Sequence, residues 1–224
     1  MFPRPVSFLV AAAAGAATLT AASAPSPLYP VYERLWHFSP FVLTVIFAAY
    51  VIALLLALLT VGSLSDTVGR RPVTAAAMVL LAIGMVIFSL SDGVGGLLAA
   101  RVVQGIAVGA ASGTITAMIV DSGPGPKRAS VVSSAVSPLG IVIGAVLAGA
   151  LVEFAPLPRQ LVFWVLAALD ILIAVLVCFI PEQTRPSDRS WAAVGRSLRP
   201  SAGLPTSARP VFFASVPALV ATWA

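Results

Sequence analysis

The sequence predicts an all-α integral membrane protein, a six-helix bundle followed by the start of a seventh helix. Three observations carry this. Of 224 residues, 59% are hydrophobic and only 9% charged, with a mean hydropathy of +1.04, whereas soluble domains carry about 25% charge. Charges are also spaced: Arg4 to Glu33, His37 to Asp66, Arg71 to Asp92, Arg101 to Asp121 and Arg128 to Glu153 enclose uncharged stretches of 19 to 28 residues. Each is long enough for a helix across a bilayer, which needs about 20 apolar residues. Finally, the basic residues alternate between loops. Together these features exclude a soluble enzyme, a disordered tail and a nucleic-acid-binding domain, despite a net charge of +5.

Taken as spans, the uncharged stretches place helices at 6–24, 40–61, 73–90, 95–120, 130–152 and 160–180, which group into a bundle over 1–180. The first span also has the outline of a secretory signal, with Arg4, an apolar run and Ala22-Ser23-Ala24 as a small-x-small site. Pro25 directly after that site favours a retained helix, and removing the span would spoil the charge alternation of every later loop. The connection to the second span contains Tyr29 and Tyr32, whose simplest placement is the interfacial aromatic belt, the alternative being the outer mouth. Ser39-Pro40 starts the second span with a capping residue and a proline at the first helical position. Ser91-Asp92-Gly93 is a tight turn between the third and fourth spans.

With Arg4 in the cytosol, the inner segments collect ten basic residues: Arg4, Arg70, Arg71, Lys127, Arg128, Arg185, Arg189, Arg196, Arg199 and Arg209. Only Arg34, Arg101 and Arg159 fall outside. This positive-inside bias sets the amino terminus in the cytoplasm and accounts for the basic character without a nucleic acid. The predominance of arginine over the single Lys127 hints at a GC-rich genome and so a bacterial inner membrane.

The turn between the second and third spans reads Gly62-Ser63-Leu64-Ser65-Asp66-Thr67-Val68-Gly69-Arg70-Arg71. Gly62 and Gly69 permit a tight reversal at the membrane surface, and the two arginines anchor it on the cytosolic side. A positive-inside hairpin explains the arginines but not both glycines and the aspartate in register. This stretch resembles the signature of the major facilitator superfamily, G-x-L-x-D-x-x-G-R-R, at all six defining positions: Gly62, Leu64, Asp66, Gly69, Arg70 and Arg71. Many members carry a basic residue after the aspartate, where this chain has Thr67.

Further matches follow in order. Arg101, Gln104 and Gly105 are similar to the family's fourth-helix motif, R-x-x-Q-G, which is associated with conformational coupling and proton movement. Arg101 lies about 9 Å below the predicted helix start, so snorkelling to the outer surface is the competing account. The resemblance implies that Asp121, at the inner end of that helix, pairs with Arg70 as a latch. In the fifth span Gly140 and Gly144 form a small-xxx-small pair suited to close helix packing. The family's antiporters have a G-P dipeptide here, and this chain reads Gly144-Ala145 instead. Asp170, near the middle of the sixth span, is a candidate proton site, since an ionisable group inside a span marks function by default. It is alternatively a polar group held by a neighbouring helix or a water cavity without any coupling role. Pro181-Glu182-Gln183-Thr184-Arg185 is similar to the family's P-E-x-x-R ending of the sixth helix.

The segment 181–209 reads as a cytoplasmic loop. Trp191, Val194 and Leu198 at helical spacing suit a short amphipathic surface helix, with an arginine-rich linker as the alternative. Residues 210–224 open a seventh apolar stretch, whose 15 residues reach about 22 Å of the roughly 30 Å hydrocarbon core. The expectation is an incomplete seventh helix, the chain being a fragment of a longer protein or a truncated product.

The resemblance implies twelve helices in two halves with the solute bound between them near the midplane, so a carboxy-terminal six-helix half is missing from this chain. The function expected is secondary active transport of a small organic solute, driven by the proton gradient, through alternating access. The alternative is a truncated, non-transporting half that serves as a binding or assembly module. Polar positions on the first and fourth helices, Thr18, Thr20, Ser112, Thr114 and Thr116, are available to line a path, without any being assigned to substrate. No cofactor or metal is expected, because His37 and Cys178 each stand alone. Nothing resembles a nucleophile with its base or a phosphate loop, so no enzyme activity is expected either.

Overall fold

The computed structural model describes residues 1–61 and 64–182. Within them every regular element is a helix. In chain order these are α1 (Arg4–Ser23), a 3₁₀ turn (Ser26–Leu28), α2 (Tyr29–Trp36), α3 (Pro40–Val61), α4 (Leu64–Val68), α5 (Arg70–Leu90), α6 (Val94–Ser122), α7 (Pro126–Phe154) and α8 (Leu161–Cys178). Six are long and apolar enough to cross a membrane, with α2 prolonging α1. The expected loop 181–209 beyond Glu182 and the incomplete helix at 210–224 lie outside the described residues.

The six expected spans are all present, but several run past their predicted ends. The third starts at Arg70 rather than 73, and the fifth covers Pro126–Phe154 rather than 130–152. Charged residues mark the edge of the hydrocarbon, not the end of the helix. At 1.5 Å per residue, the 29 residues of α6 and of α7 extend about 44 Å, enough to include the headgroup layers. The second span begins at Pro40 as expected, with the Ser39 carbonyl accepting from the Val42 amide at 2.9 Å.

Helix α2 is the departure from expectation. Pro30 supplies a first-turn residue whose missing N–H is not needed there. Tyr32 and Trp36, four apart, stack with ring centroids 4.8 Å apart. The helix ends where His37 takes a left-handed conformation (φ 51°) and its N–H donates to the Glu33 carbonyl. Tyr29 and Tyr32 are buried, so these tyrosines do not sit in an aromatic belt facing lipid. Tyr29 is turned inward to Arg101 and Phe47, and Tyr32 stacks on Trp36.

Helices α1 and α6 are central: α1 packs on α6, α7 and α8, and α6 on α3 and α5. In lipid, apolar side chains gain little by leaving the hydrocarbon, so close backbone approach is what joins helices. Gly105 and Gly109 provide it between α6 and α3; a Cβ on either would lie 2.5 Å from a backbone carbonyl oxygen, of Tyr50 and Leu54 respectively. Gly140 does the same for α7, a Cβ there meeting the Ala16 carbonyl of α1 at 2.5 Å. Thr20 and Ser23 then donate hydroxyl hydrogen bonds to the Gly140 and Ile141 carbonyls at 3.0 and 2.9 Å. Pro138, inside α7, leaves the Ser134 carbonyl without its usual helical donor. The outer faces of α3 and α7 expose large apolar side chains such as Leu56 and Val146, as a multi-pass membrane protein requires.

Candidate functional site

Two polar clusters lie at opposite ends of the bundle, with a small hydroxyl-lined cavity between α1, α6 and α7. The first occupies the end where α5 begins and α6 and α8 finish. Its architecture starts from Gly69, whose backbone (φ 111°, ψ 149°) belongs to a region essentially restricted to glycine. A Cβ there would also lie 2.8 Å from Glu182 Oε2. This allows the Glu182 carboxylate to reach the start of α5, where Oε1 accepts from the Arg70 amide at 3.3 Å and Oε2 from the Arg71 amide at 3.1 Å. First-turn amides have no partners inside their own helix, and a carboxylate there also opposes the positive end of the helix dipole. The Arg71 Nη1 reaches the Ile180 carbonyl at 3.5 Å.

Arg70 Nη1 forms a salt bridge with Asp121 Oδ2, the two side chains being 23% and 32% exposed. The start of α5 is thereby tied to the end of α6 by an ion pair and to the segment after α8 by Glu182. Leu64 opens α4 and is half-buried. Of the remaining turn residues assigned from the sequence, Gly62 and the Asp66 side chain lie outside the described residues.

The second cluster surrounds Arg101 on α6, which is 1% exposed. A snorkelling side chain would reach water, so burial decides against that account. Arg101 Nε donates to Tyr29 Oη at 2.5 Å, while Nη1 donates to the Ala22 carbonyl at 3.2 Å and to Gln104 Oε1. Gln104 Nε2 in turn donates to the Ala21 carbonyl at 2.8 Å. These carbonyls are available because α1 ends here. Pro25 has no N–H to return to Ala21, so the last turn offers acceptors to α6. Rings of Tyr29, Phe47, Tyr50 and Phe88 surround the guanidinium at 5.2–5.7 Å from Cζ to centroid, within reach of cation–π attraction. Among the described residues no carboxylate pairs with Arg101. Gly105 is next to this cluster in sequence but faces α3, as described above.

The cavity between α1, α6 and α7 holds about 80 Å³ and is lined by Thr18, Ser112, Thr116, Ser133 and Ser137, among others. Three of the five hydroxyls anticipated on the first and fourth helices therefore converge. Thr20 instead bonds across to α7, and Thr114 donates to the Ala111 carbonyl within its own helix at 2.9 Å. Ser133 and Ser137 of α7 were not anticipated, though their four-residue spacing places them on one helical face.

Asp170 belongs to neither cluster. It is fully buried on α8, which packs mainly against α5 and α1. Both carboxyl oxygens lack a hydrogen-bond partner among the described residues, so the alternative of an acid held by a neighbouring helix is not realised there. Sequence reasoning placed Tyr29 in the aromatic belt, without a partner for its hydroxyl, and left Glu182 unassigned within its motif; for Glu182 the signal was a carboxylate just after the apolar run.

Residues 11–224 match the family model described as Major Facilitator Superfamily. Among curated proteins, the chain is similar to multidrug resistance protein MdtL of Escherichia coli O127:H6, at 31% identity over 147 residues, 65% of this chain and 37% of that protein. The proteins of the same name from Escherichia fergusonii and Shigella flexneri serotype 5b match to the same extent. The chain thus spans little more than a third of the length of these relatives.

Proposed function

The chain belongs to the major facilitator superfamily, and on that premise we propose that it forms the amino-terminal half of a secondary transporter for a small organic solute, coupled to the proton gradient. The observation that carries this reading is the Arg70–Asp121 pair beside the Glu182 cap. Both are local, breakable contacts joining helix ends across the bundle, the kind of two-state element that alternating access requires. The buried Arg101–Gln104 cluster at the opposite end would act as the second coupling point. Solute would bind where the hydroxyl-lined face of α1, α6 and α7 meets a second six-helix half, near the midplane. Similarity to proteins named for multidrug resistance supports an organic solute. No enzymatic role is proposed.

Asp170 is proposed as the proton site, as an isolated buried carboxyl within a span. The amino terminus is assigned to the cytoplasm of a bacterial inner membrane, on the basic-residue bias. The test is reconstitution of the complete gene product in liposomes with an imposed pH gradient and a panel of labelled organic solutes. Gradient-driven flux is expected, and Asp170→Asn should abolish it while leaving solute–solute exchange intact. Absence of flux for the unaltered protein would sink the transport reading. An Asp170→Asn protein that still concentrates solute would remove the proton assignment alone.

A further inference from the structure

We propose that Tyr29 is a positioning residue for Arg101: its hydroxyl sets the plane of the buried guanidinium and so couples α2 to the fourth-helix cluster. The inference rests on the transport reading above and adds a residue that lies outside the motifs. Its basis is the inventory of partners around one cation. Arg101 carries five N–H donors in a rigid planar fork. Its Nη1 takes the Ala22 carbonyl and Gln104 Oε1, one from the end of α1 and the other from α6 itself. Nε takes Tyr29 Oη at 2.5 Å, on a separate element.

The two Nη1 acceptors hold one corner of the planar guanidinium, and the Tyr29 hydroxyl holds the Nε corner, so that the plane is pinned at two separated donors rather than one. The Tyr29 ring is itself fixed. It is buried, lies 5.3 Å from Arg101 Cζ, and packs on Phe47 of α3 with centroids 5.1 Å apart. With the hydroxyl removed, the Nε–H would be left without its acceptor at a site only 1% exposed, a costly state for a charged donor. The guanidinium would turn to find another, drawing Nη1 away from Ala22 and Gln104. Because α2 and α3 supply rings to the same cation, movement of either element is transmitted to α6 through this orientation.

Tyr29→Phe isolates the hydroxyl, since it keeps every ring contact and deletes one oxygen. In the reconstituted complete protein, kcat for transport should fall about tenfold with KM within about twofold of the unaltered protein. In an Arg101→Lys background, which has no Nε fork to orient, the same change should cost less than about twofold more. A packing role alone would lower thermal stability but leave the KM-against-kcat split unmoved and would act equally in both backgrounds. The inference is overturned by a Tyr29→Phe protein with unchanged kcat, by a loss confined to KM, or by equal losses in the two backgrounds. If the unaltered protein carries no solute, the transport reading fails and takes this inference with it, an outcome distinct from an active protein indifferent to Tyr29→Phe.

Discussion

At the scale of single residues, the informative groups are those that pair across helices rather than those with unusual chemistry. Arg70 and Asp121 are each about a quarter to a third exposed, and a pair at that exposure contributes ~1 kcal/mol or less to stability. Its importance would therefore appear in cycling and not in folding. Asp121→Asn should reduce transport about tenfold while shifting the thermal transition only slightly, as measured on the same preparation by flux assay and thermal scan. A collapse of stability in step with flux would make the pair structural instead. Arg70 and Arg71 were legible in the sequence because the turn motif has a strict register, and Asp121 was named as the partner of Arg70 only through the family resemblance. The Glu182 contact was not, since capping of α5 by a residue 112 positions away from Arg70 leaves no local pattern. Tyr29 was missed for the same reason: a tyrosine near a membrane edge reads as belt until a buried partner is found for it.

At the scale of elements, close approach of backbones decides the packing. Gly105 and Gly140 stand where a side chain would strike a neighbouring carbonyl, whereas nothing lies within 4 Å of a Cβ added at Gly149. Gly105→Val should therefore destabilise the α3–α6 contact by about 1–3 kcal/mol. Gly149→Ala should stay within ~0.5 kcal/mol of the unaltered protein. Denaturant titration in detergent compares the two directly, and equal effects would argue against glycine-mediated packing. Small-xxx-small spacing made Gly140 and Gly144 visible from the sequence. Which helix they meet was not, because spacing names a face and not its partner.

At the scale of the whole molecule, the alternation of basic loops predicts one orientation. In a Cys178→Ser background, Asp92→Cys in the α5–α6 turn should react with a membrane-impermeant maleimide on intact cells. Lys127→Cys at the start of α7 should react only after permeabilisation. Both positions are exposed, so access and not burial sets the result, and the reverse pattern would invert the assignment. What the sequence determined by itself was the class, the number and order of spans and the turn motif. Hydrophobic length and charge spacing are properties of the chain in one dimension, and the bilayer converts them into position along its normal. The tertiary structure alone decided that Arg101 is enclosed by four aromatic rings rather than reaching water, that Thr18 meets the cavity while Thr20 bonds to α7, and that Asp170 stands apart from both clusters. Those outcomes depend on rotation of each helix about its axis and on which neighbours it meets. In a chain hydrophobic on nearly every face, periodicity carries almost no information about that rotation.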